Sequence, residues 1–404
     1  MCCRSACRGA DGHTNFEIGI GVTRHTMSPD ISEKVILMSQ EALIENAIEQ
    51  IMGVWQVDAK DLRGRGPKGF DWLPGSHLVS VRAVPFDLND PTYLTLNIMG
   101  ATDPRQGGIR LSVTTRLIAD FPSKNPKAVE LLNVLAPTMS STYSLVYPPR
   151  ELLNQMNAPE GSFDLELFSS IYIDQNLAGW LPHFFAQMSI MHPIDAEFFG
   201  CRLPDIIGGG QPAFALGDKR DELDEILEVA DQIFVPAGAT QSRWAGSDEF
   251  DRFAQSFGKT EDCIANGDPS GLTAEVPFGR DTAIIQCWTD QAHPKLGNGL
   301  LVTMQLPFVD EEDQLTVAVE DLNFFEARAW TEVPQLGCWH TRKTATDRGK
   351  VAAHSTFVPN ALYRPGLVQN FVLWEMARAR WVRQTFFPEL KDSYMTEIYK
   401  DRFG

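Results

Sequence analysis

One imidazole and two carboxylates lie within about one or two helical turns of each other, at His192, Asp195 and Glu197. These side-chain types bind metal ions and act as general acids and bases. Pro193 lies inside the group and Phe198 follows it, which is typical of a helix break with exposed polar residues. We interpret the group as structural and keep a metal or acid–base site as the alternative.

A second group combines one thiol and two imidazoles, at Cys338, His340 and His354. These residues fall on two successive predicted strands, so they could approach one another in space. A structural zinc site needs four ligands and partners that orient them. We therefore predict no metal, no cofactor and no catalytic residue, and keep metal binding here as an alternative.

Sequence motifs for phosphate binding and nucleophilic catalysis give no stronger candidate. A Walker loop and a Gly-x-Ser-x-Gly elbow, which would cradle phosphates or hold a nucleophile on a strained turn, are both missing. The most glycine-rich run, Gly208-Gly209-Gly210, is followed by Gln211 and Pro212. Pro212 has no amide hydrogen to donate, so we interpret this run as a linker.

The charge of the chain argues against two classes of partner. The 404 residues include 53 acidic and 35 basic ones, a formal net charge of -18. A negative field repels phosphate backbones and anionic lipids, so we predict no nucleic acid and no membrane partner.

The start of the sequence is polar and lacks the apolar stretch of a signal peptide, and seven scattered cysteines are not a disulfide framework. A cytoplasmic location is the expectation.

Hydrophobic periodicity predicts a first α+β domain over residues 28–200. Apolar residues that recur every three or four positions predict helices, and alternating β-branched residues predict strands. The predicted order is helix, three strands, helix, two strands and a closing helix with kinks at two prolines. The predicted ranges are 31–52, 77–86, 93–99, 109–118, 127–139, 143–147, 163–173 and 177–199.

A second α+β domain is predicted over residues 245–392. Its predicted elements are a helix at 248–257, strands at 282–288 and 300–307, a helix at 311–330, strands at 338–342 and 351–358, and a helix at 366–387. Residues 201–244 are predicted as a linker with an acidic amphipathic helix at 218–234. Residues 1–27 are predicted as a disordered tail and residues 393–404 as a short tail.

Local matches indicate that the two halves are related. Glu130-Leu131-Leu132-Asn133 matches Glu320-Asp321-Leu322-Asn323, and Ser170-Ile171-Tyr172-Ile173 matches Ser355-Thr356-Phe357-Val358. The separations differ by only a few residues, as small loop insertions would give. We predict an α+β fold of two similar halves in a pseudo-dimeric tandem repeat. Each half is an antiparallel sheet with helices packed on it, in the order α-βββ-α-ββ-α.

The closing helix of the second half has four residues that could bind a partner. Phe371, Trp374, Arg378 and Trp381 fall on or near one helical face. Large aromatic residues usually fill cores, but exposed clusters of Trp and Arg anchor interfaces. We predict these four residues as a partner-binding surface, with core packing as the alternative.

The order of elements, the paired Leu132-Asn133 and Leu322-Asn323, and the two matching strands resemble the type III secretion chaperone-like fold, including YbjN-type proteins. This resemblance implies that the chain binds protein partners without catalysis, and it offers no active-site residue. A tandem copy would also build inside one chain the dimer that such proteins commonly form. The long middle segment, the cysteine-rich start and the prolines of the first closing helix depart from the family pattern.

The sequence therefore favours a non-enzymatic, chaperone-like adaptor that binds a partner polypeptide through a sheet face or a helical groove. Two alternatives stay open. One is an enzyme whose active site, without a recognisable motif, lies in the cleft between the halves. The other is a small-molecule sensor or a structural subunit of a larger assembly. The oligomeric state is not fixed by the sequence, and a monomeric pseudo-dimer is one possibility.

Overall fold

Helices and antiparallel strands both build this chain, which confirms the α+β class. A computed structural model describes residues 40–55, 77–82, 95–102, 108–122, 125–139, 144–146, 163–174, 176–196, 199, 202–212, 221–257, 263–279, 281–310, 314–328, 333–343 and 349–386. The predicted tails 1–27 and 393–404 lie outside these residues, as does Glu197.

The first half follows the predicted order of elements, with shifted boundaries. Helix α1 spans Gln40–Trp55 and is followed by β1 (His77–Arg82), β2 (Thr95–Thr102) and β3 (Ile109–Phe121). Then come α2 (Pro126–Met139), β4 (Ser144–Val146), β5 (Phe163–Ile173), α3 (Leu181–Ser189) and α4 (Met191–Asp195).

The closing helix of the first half is broken at Ile190 rather than continuous. Helix α3 ends at Ser189, and α4 follows after the single residue Ile190. Pro193 explains the break, because a proline cannot donate the backbone hydrogen bond that would continue the helix. Ile190 keeps right-handed helical angles, so α4 continues roughly in phase with α3.

The strands of the first half form one antiparallel sheet in the order β1-β2-β3-β5-β4. In its register Ser112 pairs with Ser170 across β3 and β5. Alternating side chains of β3 and β5 fill the core on one face, among them Leu111, Val113 and Ile171. Helix α1 packs on α3 and on β2, and α3 packs on β5, so this half has a helical layer over a sheet.

A connecting segment follows the first half. It contains α5 (Leu203–Ile207), the short strand β6 (Gln211–Pro212), which pairs with β3, and α6 (Asp221–Gly238). Helix α6 lies in the region of the predicted acidic helix and extends four residues past its predicted end. It packs against α4 in the first half and against residues 360–362 in the second.

The second half begins with α7 (Glu249–Phe257) and contains two strands that the sequence reading missed. Strands β7 (Ile264–Asp268) and β8 (Gly271–Phe278) form a hairpin before β9 (Asp281–Trp288) and β10 (Gly299–Asp310). Helix α8 (Gln314–Arg328), β11 (Cys338–Lys343), β12 (Lys350–Pro359), a short 3-10 turn (Asn360–Leu362) and α9 (Leu367–Phe386) complete the half.

The second sheet is also antiparallel, in the order β11-β12-β10-β9-β8-β7. In its register Thr303 pairs with Ser355 across β10 and β12. Helix α9 packs on β8, β9 and β10, whereas α8 packs on β11 and β12. The domain boundaries at residues 200 and 245 stay a prediction, because contacts group residues 38–404 in one compact unit.

Contacts between the two halves run through their middle helices and short strands. Helix α2 of the first half packs on β11 of the second, and α8 of the second packs on β4 of the first. Ser170 and Gln335 also exchange backbone hydrogen bonds of 3.1 and 2.7 Å. The region between the halves is therefore a packed interface along these elements.

Candidate functional site

The closing helix α9 begins directly after Gly366, whose φ of 83° lies in the left-handed region that glycine adopts without steric penalty. Its inner face packs on the second sheet. The buried residues are Leu367, Val368, Phe371, Val372, Glu375, Arg378, Ala379 and Val382. Because they recur every three or four residues, the opposite face of α9 is turned away from the sheet.

Large apolar side chains remain accessible along the edge of the buried face and beyond it. Leu373 is 38% exposed, and Trp374, Trp381 and Phe386 are half-buried. Helix α8 contributes Phe325, which is 43% exposed. We call these five residues the apolar patch.

Ring contacts join the members of the apolar patch across two helices. The ring centroids of Phe325 and Phe386 are 5.8 Å apart, and those of Trp381 and Phe386 are 5.7 Å apart at an interplanar angle of 88°. Trp374 and Trp381 are seven residues apart, so they lie at nearly the same angle on α9, about 10 Å apart along its axis. The patch is therefore a strip along α9 that widens onto α8.

The charge that α9 displays next to the patch is positive. Arg380 is exposed and Arg383 is half-buried. The other two charged residues of α9, Glu375 and Arg378, are buried and paired with each other. In a chain with a net charge of -18, this surface can attract an acidic partner.

A row of aromatic rings supports the patch from beneath and connects α9 to α3. Trp374 contacts Phe371 at 5.1 Å between ring centroids, and Phe371 contacts Phe184 at 6.3 Å. Phe184 contacts Trp180 at 5.9 Å, and the guanidinium of Arg364 lies 4.6 Å above the Trp180 ring. Such contacts fix ring positions, so the base of the patch is preorganised.

Arg378 anchors α9 to the interior through three hydrogen bonds. Its Nε donates to Glu326 Oε1 at 2.8 Å, its Nη1 donates to Glu375 Oε1 at 2.5 Å, and its Nη2 donates to the carbonyl of Pro334. The Arg378 and Glu326 side chains are each 1% exposed. Burial alone would lower the pKa of Arg378, but Glu326 and Glu375 outweigh it, so this pKa is raised.

The two carboxylates have further partners on the sheet. Glu326 Oε2 accepts a 2.6 Å hydrogen bond from the indole Nε1 of Trp339, and Glu375 Oε1 is 3.0 Å from Nδ1 of His354. Burial alone would raise the pKa of Glu375, but Arg378 and then His354 outweigh it and hold that pKa below its usual range. The ion pairs thus connect α8, α9, β11 and β12.

Arg110 extends this buried group into the first half. From β3 it donates to Ser170 Oγ at 3.0 Å and to the carbonyl of Ala327 on α8 at 3.3 Å. Burial lowers its pKa to about 10, and the nearby Glu326 opposes that shift. The residue before Ala327 is Glu326 itself, so one buried carboxylate has an arginine from each half near it.

The structure divides the four predicted partner-binding residues into two pairs. Phe371 and Arg378 are each 1% exposed and are enclosed by the chain. Trp374 and Trp381 belong to the apolar patch. The predicted role in partner binding therefore depends on Trp374 and Trp381, and it stays a prediction.

Sequence reasoning missed the other members of the patch, Phe325, Leu373 and Phe386. Phe325 directly follows Phe324 in α8, and adjacent residues on a helix point about 100° apart. Phe324 is 8% exposed and Phe325 is 43% exposed. The doublet itself was therefore a signal that one ring faces outward.

The proposed metal ligands Cys338, His340 and His354 do not converge, so that alternative is wrong. His354 pairs with Trp339 across β11 and β12. It therefore projects to the opposite face from Cys338 and His340, because side chains alternate along a strand. Among the described residues, no group of three or more His, Cys, Asp and Glu side chains could hold a metal ion. His340 Nε2 is hydrogen-bonded to Ser355 Oγ at 2.7 Å, and burial lowers its pKa to about 4.

His192 has a structural setting in the first half. Its Nε2 lies 2.7 Å from Ser169 Oγ and its Nδ1 lies 3.1 Å from Thr115 Oγ1. Burial lowers the pKa of His192 to about 3, so the ring is neutral at pH 7. Asp195 is fully buried, which differs from the exposed polar residues predicted at this helix break.

Two other surfaces could receive a ligand. The outer face of β9 carries Ile284, 37% exposed, and Trp288, whose ring lies 4.9 Å from the guanidinium carbon of Arg342. A shallow depression of about 490 Å³ lies where the end of the connecting segment meets the second half. It is lined by Gln241, Ser242, Ala245, Gly246, Pro269, Ser270, Thr289, Asp290 and Asn298.

Comparisons with known proteins do not add a relative to this description. No family model, curated protein or solved structure matches the chain. In the part of the chain that the structure describes, no helix is long and apolar enough to cross a membrane. The candidate site therefore rests on the geometry of α8 and α9.

Proposed function

We propose that the protein is a non-enzymatic adaptor that binds a partner polypeptide through the apolar patch on α8 and α9. This proposal rests on the apolar patch. It places two tryptophans, two phenylalanines and a leucine at the surface beside two arginines. Tryptophan and arginine are the residue types that dominate binding energy in protein interfaces, and clustered exposed apolar side chains mark interaction sites.

We further propose that the two halves arose by duplication. The strand path β1-β2-β3-β5-β4 has the same sequence of connections as the path β8-β9-β10-β12-β11 in the second sheet, where β7 is an added edge strand. The registers support this correspondence, because Ser170 pairs with Ser112 and Ser355 pairs with Thr303. This arrangement matches the serines that align in the sequence.

The interface between the halves supports a pseudo-dimer. Helix α2 packs on β11 while α8 packs on β4, so each middle helix contacts the short edge strand of the other half. Such reciprocal contacts are what a two-fold axis produces in a homodimer. In the second half, Asn323, which aligns with Asn133, exchanges hydrogen bonds of 2.8 and 2.9 Å with the backbone of Trp339. These bonds hold β11 against α8.

The strand path in each half also supports the proposed type III secretion chaperone-like fold. The order α-βββ-α-ββ-α accounts for both halves once β7 is set aside as an addition. That family implies partner binding without catalysis, in agreement with the role proposed for the patch. Fold alone does not establish function, so the test must address the patch directly.

The experiment is native affinity purification of the full-length chain from its source cell, with a measured complex mass. We expect a stoichiometric protein partner for the wild type. Truncation of an interface tryptophan typically costs about 2 kcal/mol or more, so Trp381→Ala should weaken the affinity for that partner about 30-fold and lower its recovery. Ile284→Ala, on the outer face of β9, is the matched control and should recover it fully. Equal recovery with Trp381→Ala would refute the proposal.

A further inference from the structure

Helix α6 shows how a closing helix of this fold can be covered. It packs against α4, the second segment of the first closing helix, and all five residues of α4 are buried. Ala230 and Phe234 of α6 are fully buried, whereas Glu228 and Asp231 are exposed. An amphipathic acidic helix therefore lies on the closing helix of the first half.

The corresponding position in the second half keeps accessible side chains. Leu181 begins α3, and the fully buried Phe185 follows four residues later. In the same way Leu367 begins α9, and the almost fully buried Phe371 follows four residues later. Counted from these starting residues, Ile194 and Asp195 of α4 correspond to Arg380 and Trp381 of α9. Ile194 is 5% exposed and Asp195 is fully buried, but Arg380 is exposed and Trp381 is half-buried.

The charges of α6 and α9 indicate what could bind at this position on α9. Helix α6 carries six acidic residues between Asp221 and Asp231 and an apolar edge that includes Leu227, Ala230 and Phe234. The exposed side of α9 offers Leu373 and the half-buried Trp381 together with the exposed Arg380. An apolar edge flanked by carboxylates matches this surface in apolar character and in the sign of its charge.

We propose that the apolar patch binds an acidic amphipathic helix of a partner protein, in the way that α4 binds α6. This inference rests on the proposed partner-binding function and adds the chemistry of the partner. The apolar edge of the helix would contact Trp381 and Phe325, and its carboxylates would pair with Arg380.

A peptide with the sequence of residues 221–238 is the direct probe. It is labelled and titrated with the full-length chain, with binding followed by fluorescence anisotropy. We expect saturable binding that weakens with salt, because screening reduces attraction between exposed charges. Trp381→Ala and Arg380→Glu should each weaken binding at least tenfold. Ile284→Ala should leave it unchanged, and a peptide with its six acidic residues changed to amides should bind at least tenfold more weakly.

The outcomes separate this inference from the proposed function. If the peptide does not bind, or if the amide peptide binds equally well, the acidic-helix inference is overturned. Partner recovery that still depends on Trp381 would then leave the proposed function standing. Binding that is insensitive to both Trp381→Ala and Arg380→Glu would place the peptide elsewhere, for example on α4, and would also overturn the inference. Arg380→Glu changes an exposed side chain, so a result from it does not depend on how the tryptophan variant folds.

Discussion

Replacement of Arg378 by methionine tests whether the buried ion pairs hold α9 in place. The change keeps a long side chain but removes the guanidinium, which donates one hydrogen bond to Glu326, one to Glu375 and a third to the carbonyl of Pro334. Both carboxylates are buried at 1% exposure. Removing one partner of a buried ion pair costs about 3–5 kcal/mol, because the remaining charge stays desolvated.

That cost is a large share of the stability of the protein, since native proteins are stable by only about 5–15 kcal/mol. The assay is urea unfolding followed by tryptophan fluorescence and circular dichroism at pH 7. Arg380→Met, two residues further along α9 and exposed, is the matched control and should change stability by less than about 0.5 kcal/mol. A loss below about 1 kcal/mol for Arg378→Met would refute the assigned role of the ion pairs.

The pH dependence of the same variant supplies a second test. The pKa of Glu375 is held below its ordinary value of 4.5 in the folded chain. Its charge therefore stabilises the fold above pH 4.5, and this contribution is lost as the pH falls through the lower folded pKa. Without Arg378, the charged and buried carboxylate of Glu375 destabilises the fold most at neutral pH. The difference between the wild type and Arg378→Met should therefore narrow as the pH drops below 4.5, and a constant difference would contradict the assignment.

Two further predictions concern buried polar residues. Burial lowers the pKa of His192 to about 3, so the neutral ring contributes stability that is full above the unfolded pKa of about 6.5 and falls toward pH 3. His192→Gln should reduce the loss of stability between pH 7 and 5 by about 2 kcal/mol in urea unfolding, and the exposed His183→Gln should not. Asn360 is fully buried and donates to the carbonyls of Ala237 and Gln241 at 2.9 and 2.8 Å. Asn360→Ala should cost about 1–3 kcal/mol because it leaves partly buried acceptors unpaired, and a change below about 1 kcal/mol would contradict the role assigned to these hydrogen bonds.

Periodicity predicted most helices and strands because burial on one face leaves a clear repeat in the sequence. The hairpin of β7 and β8 was missed although its signals were present. Asp268 accepts hydrogen bonds from the backbones of Ser270 and Gly271 in the turn, and the following strand alternates between buried and more exposed residues. Pro277 near its end hid this pattern, since proline argues against a central strand. Here Pro277 lies one residue before the end of β8.

The surface role of individual residues on α9 was harder to predict. Phe371 and Arg378 are seven residues apart and share one angle on the helix, and Trp374 and Trp381 share another angle about 60° away. Both pairs lie on or near one face in a helical projection, but the edge of the buried region falls between them. Its position depends on how deeply α9 packs onto the second sheet, which periodicity alone does not determine.

The ion pairs of Arg378 could not be predicted either. Its partners come from α8 and from the same helix, and the partners of those residues come from β11 and β12. Such a group depends on tertiary packing between elements that are distant in sequence. An arginine near the end of a helix is more often stabilised by the helix dipole.

The central claim is that a partner contacts the apolar patch, and radical footprinting of the native complex tests it most directly. Side-chain oxidation by hydroxyl radicals is measured by mass spectrometry for the isolated chain and for the purified complex. We expect strong protection of Phe325, Trp381 and Phe386 in the complex, with Ile284 unchanged. Protection of Ile284 and Trp288 on the outer face of β9, with Trp381 as reactive as in the isolated chain, would contradict it.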